Sequence, residues 1–142
     1  MPPRGRIPYD LFVDTSGFFA AINTADTNHA EARAVFTRAA AEHLRVFTTN
    51  FVVAETHALL LVREGRPIAL QFLRNLATSN VSLVRVTAAD EAAAVAIIEQ
   101  YDDTGFSYTD ASSFAIMRRL GVDEALSLER HFAQFGIRRA RG

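Results

Sequence analysis

The feature that most constrains the fold is a short apolar run that ends at an acid near the start of the chain. The run LFV at 11–13 leads directly into Asp14, and the residues after Ser16 form a second apolar segment that ends at Ile22. An apolar run bounded by turn residues indicates a fully buried strand, and the second segment indicates a helix that Thr15 or Ser16 could cap. Asp14 is therefore expected at the carboxyl end of a buried strand, where open α/β sheets bind ligands.

Short β-branched runs alternate with amphipathic segments along the rest of the chain. Strands are predicted near 10–14, 46–49, 81–86 and 125–128, with a possible edge strand at 137–139. Helices are predicted over 16–23, 29–43, 50–62, 67–78, 88–101 and 110–120, with caps at Asn50, Thr87 and Thr109, and a short turn or helix follows at 129–135. The alternation predicts an α/β fold, a three-layer α/β/α sandwich with a mainly parallel sheet of four to five strands. Residues 1–142 are expected to form one domain, with a flexible lead-in at 1–8 and a basic tail at 139–142.

Composition excludes several classes of protein. Hydrophobic residues make up 49% of the 142 residues, which excludes a disordered chain, and the net charge of −1 provides no overall positive field for nucleic acid. Cysteine is absent, which excludes disulfides, thiol nucleophiles and cysteine zinc sites. Lysine is absent too, so Walker-type phosphate loops and Schiff-base chemistry are excluded. No signal peptide or membrane span is visible, and we expect a cytoplasmic protein with no membrane partner.

Four acids fall where predicted strands meet helices: Asp14, Glu55, Asp110 and Glu129. The carboxyl ends of parallel strands face the same side of a sheet, so these distant residues can converge. A set of oxygen donors without histidine or cysteine matches Mg²⁺ or Mn²⁺ and does not match zinc. A site of this kind activates a water and stabilises the charge that develops during displacement at phosphorus.

Two of these acids also have a simpler explanation. Asp110 stands early in a predicted helix, where the helix dipole favours an acid in any case. Glu129 is followed by Arg130, and surface charge explains this pair equally well. Glu55 lies among apolar residues on a helix that we expect to be buried, so a partner or a function explains it better.

Several stretches resemble the PIN-domain family and, within it, the VapC toxins of bacterial and archaeal toxin–antitoxin pairs. They are 12–16 (FVDTS), 50–55 (NFVVAE), 106–117 (FSYTDASSFAIM) and 126–132 (LSLERHF), followed by Gly136. The resemblance covers roughly residues 10–138. Each motif is weak alone, but their order and spacing together are fairly specific.

The resemblance implies a metal-dependent endoribonuclease that cuts single-stranded RNA, with Asp14, Glu55 and Asp110 as ligands of Mg²⁺ or Mn²⁺ and Glu129 assisting. It also implies a homodimer and a cognate antitoxin that wraps around the toxin and blocks its site. The chain departs from the family pattern at Glu129, where aspartate is usual, and at Ser127, where threonine is usual. The site could tolerate this exchange, or metal affinity and activity could be lowered.

The hydroxyl residues Thr15, Ser16, Thr109 and Ser127 are expected to support this site. Helix capping explains Thr109 best, whereas Thr15 or Ser16 could also orient Asp14 or a metal-bound water. None of them has a histidine at a spacing that indicates a hydrolase nucleophile.

Histidine and arginine provide weaker candidates. The histidines show no spacing typical of a metal site, and His131 with Phe132 is expected to pack under the sheet edge. Arg118 and Arg119, on the helix that Asp110 opens, are candidates for contacts with RNA phosphates, although solvated surface charge explains them more simply.

Other functions stay open at this point. One is a catalytically weak PIN-like module that binds RNA or a protein without cutting, which only Glu129 favours; another is a housekeeping RNA-processing nuclease of the same family. A receiver-type phosphoacceptor domain also has an acidic pocket on a parallel sheet. That fold normally needs a lysine beside its acceptor aspartate, and this chain has none.

Overall fold

The computed structural model describes residues 7–142, which form one five-stranded sheet and seven helices. In chain order the elements are β1 (Leu11–Val13), α1 (Thr15–Ile22), α2 (His29–Ala41), β2 (Val46–Thr49), α3 (Asn50–Arg63), α4 (Arg66–Thr78), β3 (Ser82–Val84), α5 (Ala88–Gln100), α6 (Tyr108–Leu120), β4 (Glu124–Leu126), α7 (Arg130–Gln134) and β5 (Arg138–Arg139). The strand order is β3-β2-β1-β4-β5, and every neighbouring pair is parallel. This confirms the predicted three-layer α/β/α sandwich. Residues 1–6 of the predicted lead-in lie outside the described residues.

The central strand β1 organises the sheet. Its three residues are each 1% exposed or less, as expected for a parallel strand that is covered on both faces. Phe12 pairs with Phe47 in β2 on one side and with Ala125 in β4 on the other. The local apolar pattern therefore identified the strand that contacts both the N-terminal and the C-terminal halves of the chain.

The strand gives way to a helix at Asp14. The Asp14 N–H donates to the carbonyl oxygen of Leu126 at 3.1 Å, while the Asp14 carbonyl oxygen accepts the N–H of Phe18 at 3.1 Å. Asp14 is thus the residue directly after β1, still hydrogen-bonded to β4, and also the N-cap residue of α1. The prediction that Thr15 or Ser16 caps this helix is wrong, since both lie within its first turn.

The start of α3 differs from the prediction by one residue. The Thr49 hydroxyl accepts the N–H of Val52 at 3.1 Å and caps the helix in place of Asn50. The Asn50 side chain instead accepts the N–H of Val86 at 2.8 Å. This bond fixes the chain beyond β3, which ends at Val84 instead of the predicted residue 86.

Helix α6 also begins earlier than predicted. The Ser107 hydroxyl accepts the Asp110 N–H at 3.0 Å, and the Asp110 carboxylate accepts the Ser107 N–H at 3.3 Å, which forms a capping box. The predicted cap at Thr109 is wrong because Ser107 takes this role. The helix ends as predicted at Gly121, which has a left-handed conformation with φ of 72°. Among residues 7–142, no helix is both long and apolar enough to span a bilayer.

An aromatic cluster joins α6 to α7. Phe114 stacks on Phe135 with ring centroids 4.4 Å apart and meets Phe132 edge-on at 4.8 Å. Phe106 packs edge-on against Phe114 at 5.0 Å and also against the imidazole of His131 at 5.3 Å. These contacts hold the short helix α7 in place beside the carboxyl end of the sheet.

Helix α1 approaches β4 most closely at Gly17. A Cβ atom at this position would lie 2.5 Å from the carbonyl oxygen of Leu126 and 2.7 Å from Leu126 Cγ. That oxygen cannot shift easily because it accepts the Asp14 N–H. Glycine is therefore needed here for close approach of the two elements.

We expect Gly17→Ala to lower the free energy of unfolding by about 1–3 kcal/mol, because the added methyl group meets fixed backbone. Helix propensity alone predicts the opposite sign, a gain of about 1 kcal/mol. Urea denaturation of the two proteins measures the difference. Unchanged or increased stability of the variant would contradict the close approach.

Candidate functional site

A cavity of about 610 Å³ lies beyond the carboxyl end of β1. Its lining contains five carboxylates, those of Asp14, Asp26, Glu55, Asp110 and Glu129. Four of them are the acids predicted from the sequence, and Asp26 comes from the segment between α1 and α2. The structure therefore brings the predicted acids to one cavity although they come from four separate parts of the chain.

Asp14 is the most enclosed of these acids, with 2% of its surface exposed. Its Oδ2 atom accepts hydrogen bonds from the hydroxyls of Ser16 at 3.2 Å and Ser127 at 3.1 Å. These two hydroxyls in turn accept backbone N–H groups, from Leu128 to Ser16 at 2.8 Å and from Glu129 to Ser127 at 3.2 Å. The carboxylate is thus held by a small network that joins β1, α1 and the end of β4.

Burial raises the pKa of Asp14 to about 6 from its ordinary value of 3.8. The negative charges of Asp110 and Glu55 also contribute to this raised pKa, while hydrogen bonds from the Thr15 N–H and the Ser127 hydroxyl oppose it. The three acids are therefore close enough for their charges to interact. A cation between them would remove this repulsion.

Asp110 is fixed from two directions. Its Oδ2 atom accepts the Ser107 N–H of the capping box and lies 3.0 Å from His131 Nδ1. With a carboxylate as its partner, Nδ1 is the nitrogen that carries the proton. The sequence interpretation placed His131 under the sheet edge and gave it no partner, so this residue was missed. Its position two residues after Glu129, just beyond a strand end, was the available signal.

Glu55 lies on the exposed side of α3, which corrects the expectation of a buried position. The buried face of this helix is formed by Val52, Thr56 and Leu60. Glu55, Leu59 and Arg63 repeat at intervals of four residues on another face, and all three line the cavity. The glutamate is therefore at the rim of the site and not in the core.

The remaining predicted residues differ in their placement. Glu129 is exposed at the start of α7 and lines the cavity, and Thr15 lines it with a buried hydroxyl that has no hydrogen-bond partner among the described residues. Thr109 is not among the lining residues, and its carbonyl oxygen accepts the hydroxyls of Ser112 and Ser113 within α6.

Arg118 and Arg119 do not line the cavity. The Arg119 guanidinium forms two hydrogen bonds with Asp90, at 2.8 and 2.9 Å, and the Arg118 guanidinium lies over the Phe135 ring at 4.9 Å. Both side chains therefore have structural partners, and the predicted RNA contact finds no support in their positions. The arginine that does line the cavity is Arg63.

The donors that face the cavity fit a hard divalent cation such as Mg²⁺ or Mn²⁺, since they are mainly carboxylate oxygens. As the side chains stand, no three Asp, Glu or His residues within 7–142 are grouped closely enough to enclose an ion. Asp14 and Asp110 are fixed by hydrogen bonds, whereas Glu55 is exposed and its long side chain can change rotamer. The cavity therefore offers a suitable set of donors, with Glu55 as the adjustable one.

The raised pKa of Asp14 predicts a pH-dependent effect of Asp14→Asn on stability. The folded wild type binds this proton more tightly than the unfolded chain does, so its stability falls as pH rises from about 4 through about 6. In chelator, we expect the variant to gain about 2 kcal/mol relative to wild type between pH 4 and pH 7. Urea denaturation at both pH values measures this, with Asp103→Asn in an exposed loop as the control. A difference in stability between Asp14→Asn and wild type that did not change with pH would contradict the raised pKa of Asp14.

The chain is similar to one protein family and to named members of it. A family model described as PIN domain matches residues 11–137. The 23S rRNA-specific endonuclease VapC20 of Mycobacterium tuberculosis is 32% identical over 127 residues, which cover 89% of this chain and 95% of that protein. Ribonuclease VapC26 of the same species is 28% identical over 124 residues, 87% of this chain and 90% of that protein.

Solved structures agree with the sequence relatives. The crystal structure of M. tuberculosis VapC20, described as a sarcin–ricin loop cleaving toxin, matches with a TM-score of 0.84 over 94% of this chain and 100% of the other. FitAcB from Neisseria gonorrhoeae matches with a TM-score of 0.65 at 12% identity, over 91% and 95% of the two chains, and supports the fold alone. The family model and the VapC20 relative each cover most of the chain, and the protein therefore belongs to the PIN-domain family.

Proposed function

We propose that the protein is a metal-dependent endoribonuclease and the toxin of a VapBC-type toxin–antitoxin pair. The observation that carries this proposal is the convergence of Asp14, Glu55, Asp110 and Glu129 on one cavity of a PIN-domain fold. The relatives support it, since VapC20 is named a 23S rRNA-specific endonuclease and VapC26 a ribonuclease.

Asp14, Glu55 and Asp110 are the residues that would hold Mg²⁺ or Mn²⁺, with Glu129 assisting from the rim. A bound ion would supply an activated water for the attack and positive charge to neutralise the phosphate. Ligand residues need fixed orientations for this chemistry, and their hydrogen-bond partners supply them. Ser127 orients the Asp14 carboxylate, and Ser16 donates to the same oxygen.

We infer ribosomal RNA as the substrate class. The relative that is 32% identical over most of both chains is named for 23S rRNA, and its crystal structure is described as that of a sarcin–ricin loop cleaving toxin. A ribosomal substrate agrees with the cytoplasmic location predicted from the sequence.

A cognate antitoxin and a second copy of the chain are the partners in this proposal, as the family resemblance implies. Exposed apolar side chains near the junction of α3 and α4 support a protein interface: Leu61, Val62 and Ile68 are 45%, 82% and 39% exposed. We place the homodimer contact at this junction.

Metal-dependent cleavage tests the proposed function. With a 23S rRNA fragment that contains the sarcin–ricin loop and with Mn²⁺ or Mg²⁺, we expect the wild type to cut the RNA and chelator to stop it. Asp14→Asn removes a ligand charge, so its rate should fall about 100-fold or more. Gel analysis of the RNA products measures both effects. RNA binding without cleavage by either protein would instead support a binding module.

The contact between His131 and Asp110 predicts a positioning role for the imidazole. His131→Ala should weaken Mn²⁺ binding and slow cleavage by about 10–100-fold, because Asp110 loses a donor that orients it. His131→Asn should retain most of both, since its amide can donate to the same oxygen. Calorimetric titration of Mn²⁺ and the cleavage rate measure these effects. Equal losses in the two variants would show that the imidazole only packs against Phe106.

A further inference from the structure

The arginines of residues 7–142 fall into two groups. Four of them have carboxylate partners: Arg38 with Glu124 at 2.7 Å, Arg45 with Asp10 at 3.1 Å, Arg119 with Asp90 at 2.8 Å and Arg138 with Asp123 at 3.0 Å. Among the arginines without an ion pair in this part of the chain are Arg63, Arg130 and Arg139. These three lie at or beside the acidic cavity.

Arg63 stands on the same face of α3 as Glu55. The two residues are eight positions apart, which separates them by about 12 Å along the helix axis. The Arg63 guanidinium lies 5.5 Å from the centroid of the Phe19 ring, and both residues line the cavity. This contact favours a position at the rim without using the hydrogen-bond donors of the guanidinium.

Arg130 and Arg139 line a smaller cavity of about 220 Å³ next to the acidic one. The two cavities share Leu128 and Glu129, so they adjoin at the start of α7. The Arg139 guanidinium also donates to the Asn28 side chain at 3.5 Å, and Asn28 lines the acidic cavity. A second basic region therefore borders the site.

The sheet order separates the two basic regions. Arg63 is in the helix that follows β2, whereas Arg130 and Arg139 come after β4, and β2 and β4 lie on opposite sides of β1. Asp14, at the end of β1, stands between them in this order. A chain molecule that crosses the site would thus meet a cation, the carboxylates, and then cations again.

We propose that Arg63 on one side and Arg130 with Arg139 on the other bind backbone phosphates of an RNA strand laid across the acidic cavity. The proposal rests on the proposed ribonuclease function. Five carboxylates repel a polyanion, so the strand needs cations on both sides of the cleavage position. Guanidinium groups suit this role because their planar donors match phosphate oxygens and keep their charge.

The test measures binding and not cleavage. Fluorescence anisotropy of a labelled single-stranded RNA is recorded in chelator at several salt concentrations, for wild type, Arg63→Gln, Arg130→Gln and Arg139→Gln. We expect each variant to raise Kd about tenfold and to reduce the slope of log K against log salt by about 0.7. Arg63→Lys should keep the slope. Arg74→Gln, on α4 and outside both cavities, is the matched control.

The proposal would be overturned if the three glutamine variants had the same Kd and the same salt slope as Arg74→Gln. It would also be overturned if the wild type showed no salt-dependent binding of RNA. Cleavage assays on the same proteins separate the two conclusions. Wild type that cuts RNA while the arginine variants bind normally would leave the nuclease function standing and remove the phosphate contacts. Impaired binding in the variants, with no cleavage by wild type, would support the contacts and remove the nuclease.

Discussion

The site depends on keeping a carboxylate buried at the end of the central strand. Asp14 is enclosed, its pKa is raised to about 6, and two serine hydroxyls donate to one of its oxygens. Burial of an acid costs free energy unless a charge or hydrogen bonds compensate it. Here the compensation comes from α1 and from the end of β4, so the backbone around the acid is fixed by the same contacts that hold the sheet together. Gly17 allows this arrangement, because a side chain there would separate α1 from Leu126.

The sequence predicted the parts of the fold that depend on local pattern. The strand before Asp14 was identified because its apolar run is wholly buried, and Gly121 ended α6 because a left-handed residue is needed there. The N-cap residue of a helix is harder to predict where adjacent polar residues could each take that role. Thr49 caps α3 instead of Asn50, because the Asn50 side chain accepts the Val86 N–H. This tertiary contact is not visible in the local sequence pattern.

The sequence predicted which acids meet at the site, but it did not predict which side of α3 carries Glu55 or which residue contacts Asp110. Parallel topology brings strand ends together, which is why acids far apart in the chain reach one cavity. The side of α3 that carries Glu55 was misjudged because this helix is apolar on several faces, so its periodicity does not single out the buried one. The contact between His131 and Asp110 joins residues 21 positions apart and depends on how α7 packs against α6.

The absence of lysine affects how the basic side chains of this protein bind carboxylates and phosphates. Every permanent side-chain cation is a guanidinium, a group that binds carboxylates and phosphates with the same planar donors. The arginines therefore differ in role according to whether they form an ion pair within the fold. Those that meet a carboxylate, such as Arg119 with Asp90, stabilise the fold, and those near the cavity without one keep their donors available.

The hydrogen bond between Ser127 and Asp14 spans 113 positions in the chain. Because β4 must pair with β1 before this contact exists, the first two thirds of the polypeptide cannot complete the site alone. A nascent chain on the ribosome thus carries Asp14 and Glu55 long before it carries the residues that orient and complete them. Translation products that end before β4 would lack the Ser127 contact with Asp14, and activity would begin only after β4 had emerged and docked beside β1.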